Sequence, residues 1–318
     1  MRNYWRLTLI VVAMVLHGCV QPPKQEPAPP PPPPPPVVKR HPPEVVILVS
    51  ENVPAYSRVA NLLARQLGRR GSVRYLTPSA LENARIVDAY GSDERKQFVS
   101  VGLSASVAAK ALTSKQVVFC QVFNYQEYGL LSPLHKGVGM IPSMSRTFAA
   151  WRAIAPGTTD VGVISGPGLE DTIQVATAIA KRYGITLHYA AVNSDKEYLF
   201  AYKQMSDQVQ GYWLLPDNRV LSGNALREVM TFSVRNSKQV VVFSDELLNL
   251  GGLISVTTDY RNIAQQVLER LESAQGKDAI PGPDIAYLDR AVLRINPVMA
   301  QRLGLQIPRQ YQKYAKQN

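Results

Sequence analysis

The sequence Val45-Val46-Ile47-Leu48-Val49 is an unbroken apolar run composed mainly of β-branched residues. Such a run predicts a strand that is buried on both faces, which is typical of a parallel sheet covered by helices. After it, Pro54 begins a segment whose apolar residues have helical spacing, and Gly68 ends that segment. The pattern therefore predicts a strand followed by a helix, which is the repeating unit of an α/β fold.

The same alternation continues to residue 123. Strands are predicted over 73–76, 98–102 and 117–123, and helices over 79–88 and 104–112. Because helices connect the successive strands, the strands are expected to run parallel, with helices on both faces of the sheet.

The pattern restarts after Gly137-Val138-Gly139, which marks the predicted boundary between two lobes. Strands are then predicted over 160–165, 186–191, 211–215, 239–243, 253–257 and 287–295, and helices over 145–155, 170–183, 195–209, 224–236, 260–275 and 297–303. We predict an α/β protein of two doubly wound, parallel-sheet lobes with a cleft between them. Lobe 1 comprises residues 44–137 plus about 259–283, lobe 2 comprises 138–258 plus about 284–308, and 309–318 form a polar tail that is expected to fray.

The first 18 residues have the parts of a secretory leader. Arg2 and Arg6 precede a short apolar core, Leu7 to Leu16, and a lone cysteine follows at Cys19. The apolar run is too short to span a bilayer. It resembles a bacterial lipoprotein signal, although His17 departs from the usual small or apolar residue, and this predicts acylation, including palmitate, on Cys19. The alternatives are an uncleaved anchor and an ordinary leader with a chance cysteine.

A proline-rich tether is predicted over residues 19–43, with unbroken proline from Pro29 to Pro36. Proline fixes φ and lacks a backbone donor, so the segment is expected to adopt polyproline II and to form no core. At about 3.1 Å per residue, the part from residue 21 to residue 43 spans up to roughly 70 Å. A ligand for an SH3-type domain is the other interpretation, and a spacer is favoured outside the cytoplasm. Val20 after the cysteine, in place of aspartate, favours the outer membrane over the inner by resemblance to other lipoproteins.

Composition argues against several classes of function. The formal net charge is +11, or +9 once Arg2 and Arg6 leave with the leader, but the basic residues are scattered and lack the interleaved aromatics of a nucleic-acid surface. Cys120 lies in an apolar run and is predicted to be a small buried hydrophobe. No His-x-x-x-His, Cys-x-x-Cys or Gly-x-Ser-x-Gly motif occurs. We therefore predict no enzyme, metal, cofactor or nucleic-acid partner.

Ligands of doubly wound sheets bind at the carboxyl ends of the strands. The candidate ligand-binding residues at these ends are Ser50, Glu51, Ser104, Ala105, Ser106, Asn124, Tyr125, Gly166, Asp217, Asn218 and Asp245. The Ser104 segment combines glycine and small hydroxyl residues at a helix start, where free N–H groups can hold a carboxylate; plain helix capping is the alternative. Asp217 and Asp245 can face an ammonium group or can cap helices, and Tyr125 can line a site or cover the edge of the core.

Several segments carry a family resemblance over about residues 44–308. The end of the chain, Val292 to Asn296 followed by Met299 to Pro308, is similar to the closing signature of ABC-transporter substrate-binding proteins of the tryptophan/tyrosine-binding type. Leu215-Pro216-Asp217-Asn218 resembles the Pro-Thr-Asp-Asn loop of that family, and Phe243-Ser244-Asp245-Glu246 its Gly-Asp-Glu loop. Gly102-Leu103-Ser104-Ala105-Ser106 resembles its Gly-Thr-Pro-Ala-Ala helix start, with Leu-Ser-Ala-Ser replacing Thr-Pro-Ala-Ala. The first lobe looks short between Tyr75 and Phe98, where the family has a complete helix.

The resemblance implies a type I periplasmic-binding fold that closes on a small solute by hinge motion. It implies that Ser104, Ala105 and Ser106 receive the carboxylate of an amino acid, while Asp217, Asn218 and Asp245 face its ammonium group. The expected function is capture of a small, amino-acid-like solute for an ABC importer, with an ABC permease as partner and the lipid on Cys19 as membrane anchor. The alternative is a non-transport outer-membrane lipoprotein whose binding fold interacts with, or regulates, another envelope protein.

Overall fold

The apolar runs of the sequence form the inner strands of two sheets in a computed structural model that describes residues 43–93, 96–274 and 278–315. The strands are β1 (Glu44–Val49), β2 (Gly71–Tyr75), β3 (Lys96–Val101), β4 (Val117–Cys120), β5 (His135–Val138), β6 (Asp160–Ser165), β7 (Thr186–Ala191), β8 (Gly211–Trp213), β9 (Gln239–Val242), β10 (Ile254–Thr257), β11 (Ile285–Ala286) and β12 (Val292–Ile295). The helices are α1 (Pro54–Leu67), α2 (Ala80–Gly91), α3 (Leu103–Ala109), α4 (Met144–Ile154), α5 (Glu170–Lys181), α6 (Asp195–Met205), α7 (Gly223–Arg235), α8 (Tyr260–Ser273) and α9 (Pro297–Arg302). The predicted leader, Cys19 and the tether up to residue 42 lie outside the described residues. The described residues belong to one compact unit, 42–318.

The first sheet has the strand order β11-β5-β4-β3-β1-β2, and its neighbours pair in parallel. Alternate residues of the central strand β1 point to opposite faces, and both faces are covered. Ile47 packs with α1 and α8 on one face, and Leu48 packs with α2 and α3 on the other. This burial explains the continuous apolar run of β1.

The second sheet has the order β12-β10-β9-β8-β6-β7, with β12 antiparallel to β10 and the other pairs parallel. One core joins it to α4, α5 and α9 around Trp151. The other core joins it to α6 and α7 around Tyr198 and Tyr202. The two parallel-sheet lobes confirm the predicted fold class.

The chain passes between the lobes at residues 139–143, 258–259 and 287–291, and hydrogen bonds to backbone carbonyls hold these segments side by side. The Thr258 hydroxyl donates to the carbonyl of Met140 at 3.0 Å. The Gly139 N–H donates to Ala286 O at 2.9 Å, and the Ser143 N–H donates to Arg290 O at 3.1 Å. Such adjacent crossings are the geometry of a hinge between two lobes.

Four features differ from the sequence predictions. The segment before β3, which looks short, contains the complete 12-residue helix α2, whose start is capped by Ser79. Strand β5 was not predicted because His135-Lys136-Gly137-Val138 lacks a β-branched run. Residues 285–286, assigned by the prediction to lobe 2, pair with β5 of the first sheet. The tail does not fray throughout, because Tyr311 and Tyr314 pack against the second-lobe core.

Cys120, His135 and His188 are each packed or hydrogen-bonded within the described chain. Cys120 is buried and unpaired, and burial raises the pKa of its thiol to about 12, so the thiol stays protonated, in agreement with the prediction. His188 bonds Asp160 at 2.8 Å across β7 and β6. His135 is buried and contacts the carbonyl of Leu112 at 3.1 Å. Within the described residues, no group of His, Cys, Asp and Glu side chains could hold a metal ion.

The buried His135 leads to a testable dependence of stability on pH. Burial lowers its pKa from the usual value of about 6.5, so the unfolded chain takes up a proton that the folded chain resists. The contribution of neutral His135 to the free energy of unfolding is therefore fully present above about pH 6.5 and is lost as the pH falls through the folded-state pKa. We expect H135Q to reduce the loss of stability between about pH 7.5 and pH 5, measured by urea unfolding. An unchanged loss in H135Q would contradict the assignment to His135.

Within the residues described, no helix is both long enough and apolar enough to cross a bilayer.

Candidate functional site

A cavity of about 410 Å³ lies between the lobes, beside the crossing segments. The first lobe contributes Ala55, Arg58 and Gln121 to its lining. The second-lobe side of the lining consists of Thr147, Trp213, Leu214, Leu215, Pro216, Val242, Phe243, Ser244, Asp245, Glu246, Val256 and Thr257. The crossing segments add Met140, Ile141, Pro142 and Thr258, and Tyr260 lines the cavity from the start of α8. The cavity has the size and mixed lining of a small-molecule site.

The local folds explain why these residues meet. Strands β8, β9 and β10 are parallel neighbours, so their carboxyl ends lie at one edge of the sheet and deliver Trp213, Val242 and Thr257 to the cavity. From the other lobe, the first turns of α1 bring Ala55 and Arg58, because Pro54 fixes the helix start. The cavity is therefore built in part at the carboxyl ends of these strands.

The acidic residues of the cavity already have partners. Asp245 accepts a hydrogen bond from the Ser255 hydroxyl at 2.6 Å and forms an ion pair with Arg294 at 3.1 Å. Glu246 accepts a hydrogen bond from Ser244. The negative charge in this part of the cavity is therefore partly satisfied by the chain itself.

Asp217 lies outside the cavity lining and forms the centre of a second cluster. It is 2% exposed, and its carboxylate accepts bonds from the Gly166 N–H at 2.8 Å and from the Arg219 side chain at 2.9 and 2.8 Å. These bonds to Asp217 raise the pKa of Arg219. The paired charge of Asp217 is turned toward Arg219 rather than toward the cavity.

Arg219 also connects the two lobes. Its guanidinium donates to Glu127 of the first lobe at 2.6 Å and to the carbonyl of Pro167 at 3.0 Å. Nearby, the Tyr125 hydroxyl lies 3.4 Å from that of Thr172, and Gln126 donates to Asp171. We call this set, residues 125–127 with Asp171, Thr172 and Arg219, the cross-lobe contact.

The phenol of Tyr125 is buried in the cross-lobe contact, which raises its pKa to about 12. Asn124 supports the same contact, because its amide donates to Glu127 at 2.9 Å. Both predicted residues therefore contribute to contact between the lobes, and neither lines the cavity.

The predicted carboxylate site at the start of α3 makes internal bonds. The Ala105 N–H donates to the Ser50 hydroxyl at 2.9 Å. The Ser106 hydroxyl donates to the Gly102 carbonyl at 2.8 Å and lies 3.0 Å from the Ser100 hydroxyl. Ser104 is exposed. Gly102 has φ +87° and lies so close to Ser50 that a side chain there would clash, which explains the glycine.

The predicted site residues thus fall into separate groups. Asp245 lines the cavity; Asn124, Tyr125, Gly166 and Asp217 lie in or beside the cross-lobe contact; Ser50, Ala105 and Ser106 bond one another or their neighbours at the start of α3; and Glu51, Ser104 and Asn218 are exposed. Sequence reasoning missed most of the cavity lining, including Arg58, Gln121 and Trp213. The available signal was Gln121, a polar residue at the carboxyl end of an apolar strand.

Comparison with known proteins gives the family and the fold. Residues 102–318 match the family model described as ABC transporter substrate binding protein. An ABC domain from Streptococcus pneumoniae in complex with L-Trp aligns at 18% identity and a TM-score of 0.57, covering 86% of this chain and 98% of that one. A conserved domain protein from Vibrio cholerae aligns at 18% identity and a TM-score of 0.56, covering 86% and 99%.

A ligand-free, open substrate-binding protein with adhesive properties from Clostridium difficile aligns at 15% identity and a TM-score of 0.59, covering 84% of this chain and 96% of that one. At these identities the similarity establishes the fold, which is that of type I periplasmic binding proteins, as predicted. No curated protein matches the chain.

Proposed function

Because the chain belongs to the family of ABC transporter substrate-binding proteins, we propose that it captures an amino-acid-like solute between its lobes for an ABC importer. The family is one of substrate-binding proteins and not of enzymes, as the sequence predicted. The observation that carries the proposal is the interlobe cavity of about 410 Å³, which residues of both lobes line.

The lining supports a solute with an apolar body and a few polar groups. Trp213, Phe243 and Tyr260 supply ring surface, while Gln121 and Thr147 supply polar groups. Rings with a small number of polar side chains are the usual composition of a site that binds and orients a small molecule. The L-Trp bound by the Streptococcus pneumoniae structure is a solute of this kind.

The position of the cavity supports capture by closure. A solute that contacts Arg58 of the first lobe and Ser244 of the second stabilises the arrangement in which the lobes lie together. A ligand shifts such an equilibrium by the difference between its affinities for the two states. Binding is therefore expected to favour the closed protein that a permease would recognise.

Thermal unfolding with a panel of the twenty amino acids tests the proposal. At a free concentration 100 times its Kd, a ligand of the folded state adds about 2.7 kcal/mol to the free energy of unfolding. We expect at least one amino acid with an apolar side chain to raise the Tm, and glycine, which lacks such a body, to serve as the control. A Tm that no member of the panel raises would contradict capture of an amino-acid-like solute.

A second candidate function is a non-transport role, in which the two-lobed fold contacts or regulates another envelope protein. The observation that favours it is Asp217, whose carboxylate is bound by Arg219 and is therefore not available to a solute ammonium group. If no amino acid of the panel binds, this second function is favoured over solute capture.

For the location of the protein, we propose attachment through lipid on Cys19, in the periplasm and at the outer membrane rather than the inner. The support is the leader sequence with its cysteine, followed by Val20 instead of aspartate. Membrane fractionation after labelling with a palmitate analogue tests this. Label that is lost in C19A and found in the outer-membrane fraction is the expected result, whereas inner-membrane label would favour the importer.

A further inference from the structure

Two buried glutamines in the first lobe differ in how their side chains are bonded. Gln97 and Gln121 are each 8% exposed. The Gln97 amide donates to Gln116 at 2.8 Å and lies 3.3 Å from the carbonyls of Leu271 and Ala274. The amide nitrogen of Gln121 is also buried but has no hydrogen-bond partner within the described chain. A buried donor without a partner is unfavourable for folding, so Gln121 requires an explanation that Gln97 does not.

The backbone of Gln121 is unfavourable as well. Its φ is +59°, in the left-handed region that favours glycine and asparagine. Strand β4 ends at Cys120, so Gln121 turns away from the strand at the sheet edge where ligands bind. Residues held in such conformations occur preferentially at binding sites. Both the backbone and the side chain of Gln121 thus favour a role in binding over a role in folding.

Arg58 is a second donor in the cavity lining and, unlike Gln121, is exposed. Its guanidinium lies 5.7 Å from the ring centre of Tyr260, and it forms no ion pair with any residue in the described ranges. Of the cavity carboxylates, Asp245 is paired with Arg294, whereas Glu246 accepts a hydrogen bond from the Ser244 hydroxyl and forms no ion pair within the described ranges. The cavity lining therefore includes two donors without a hydrogen-bond acceptor in the described chain, Gln121 and Arg58, and one carboxylate, Asp245, that is already paired.

We propose that Gln121 and Arg58 bind a carboxylate of the solute, and that the solute is an organic acid with an apolar body whose amino group is not required. This inference rests on the proposed solute binding and identifies the side chains that recognise the solute. Gln121 donates to a carboxylate oxygen, and Arg58 supplies the opposite charge from the same lobe. Trp213 and Phe243 of the second lobe contact the apolar body. Asp217 and Asp245 are both paired with arginines of the chain, so neither carboxylate is available to hold an ammonium group of the solute.

Binding of three related probes to the full chain tests this by isothermal titration calorimetry. The probes are 3-phenylpropionate, L-phenylalanine and phenethylamine, which carry a carboxylate only, both groups, and an amine only. We expect the two carboxylates to bind with similar affinity. The amine is expected to bind at least 10-fold more weakly, because it lacks the group that Gln121 and Arg58 contact.

The matched variants are Q121M and Q97M, which remove the same amide from equally buried positions. Q121M is expected to weaken binding of both carboxylates by roughly 10- to 100-fold, as loss of a hydrogen bond to a charged group does. Its Tm without ligand should stay equal to or above that of the wild type, because an unpaired donor is removed. Q97M is expected to lower the Tm and leave affinity unchanged, since its amide is fully bonded inside the lobe.

The outcomes separate this inference from the function on which it rests. Equal binding of phenethylamine, or full affinity in Q121M, would overturn the roles of Gln121 and Arg58 and leave solute binding intact. If none of the three probes binds while another amino acid of the panel raises the Tm, solute binding stands and the proposed acid with an apolar ring is wrong. If neither the probes nor the panel bind, the proposed function itself fails.

Discussion

Arg219→Met is expected to lower the free energy of unfolding by roughly 3 kcal/mol, because it leaves the Asp217 carboxylate buried without its counter-charge. Removing one partner of a buried ion pair typically costs about 3–5 kcal/mol. The lower end applies here, since the N–H groups of Gly166 and of residue 219 itself still donate to Asp217. Urea unfolding of wild type and variant measures the change.

The same variant is expected to open the lobes. Arg219 donates to Glu127 across the cleft at 2.6 Å, so its loss removes a charged part of the cross-lobe contact. The radius of gyration from X-ray scattering without ligand should therefore increase. Glu127→Gln is the matched control, because it weakens the same contact on an exposed side chain and leaves Asp217 paired. It should open the lobes with little loss of stability.

The double variant D217N/R219M separates the effect of the buried Asp217 charge from the effect of losing the Arg219 contacts. It removes the buried charge together with its partner, and so should recover part of the stability that R219M loses. If D217N/R219M is less stable than R219M by the full cost of a second lost contact, the buried charge of Asp217 is not the cause of the effect.

Trp151→Ala is expected to lower the free energy of unfolding by about 3–5 kcal/mol, the usual cost of truncating a buried aromatic side chain. The side chain is fully buried on α4 in the core of the second lobe, and its indole N–H donates to Gln239 at 2.6 Å. The alanine leaves a cavity and removes one donor to that oxygen, which Thr158 still contacts at 2.8 Å. A Tm lower by about 10 °C in calorimetry is the corresponding result.

Trp151→Phe is the control for this variant. It keeps an aromatic ring in the core and removes the indole donor. We therefore expect a loss of about 1 kcal/mol from the missing hydrogen bond, with a further loss because the phenyl ring is smaller than the indole. A loss in W151F as large as in W151A would show that the hydrogen bond, and not the packing, carries the effect.

The strands and helices of both lobes could be predicted because burial leaves a local signature. The run at 45–49 is apolar throughout since both faces of β1 are covered. Strand β5 has no such signature: Gly137 is required because a side chain there would lie 2.4 Å from the Phe119 ring. A close approach between two strands is a property of the folded sheet, and the sequence of one strand does not display it.

The candidate site was predicted less well, for a related reason. Sequence places Asp217 and Ser106 at strand ends but does not show which partner satisfies each polar group. Arg219 occupies Asp217, and the Gly102 carbonyl occupies Ser106. Gln121 is the converse case, since the predicted strand ran through it to Phe123 and the structure turns at that residue. Whether a polar side chain is engaged or unpaired depends on tertiary contacts.

A tryptophan placed in the cavity tests the central claim, that the solute binds between the lobes. Ala55, in the first turn of α1, lines the cavity, so A55W fills the space that the solute would occupy. Val298, which is 60% exposed on α9, lies away from it, and V298W is the control. The decisive measurement is the titration of the best ligand of the amino-acid panel into both folded variants. We predict that V298W binds as the wild type does and that A55W does not bind, and undiminished binding by A55W would contradict the assignment of the cavity as the site.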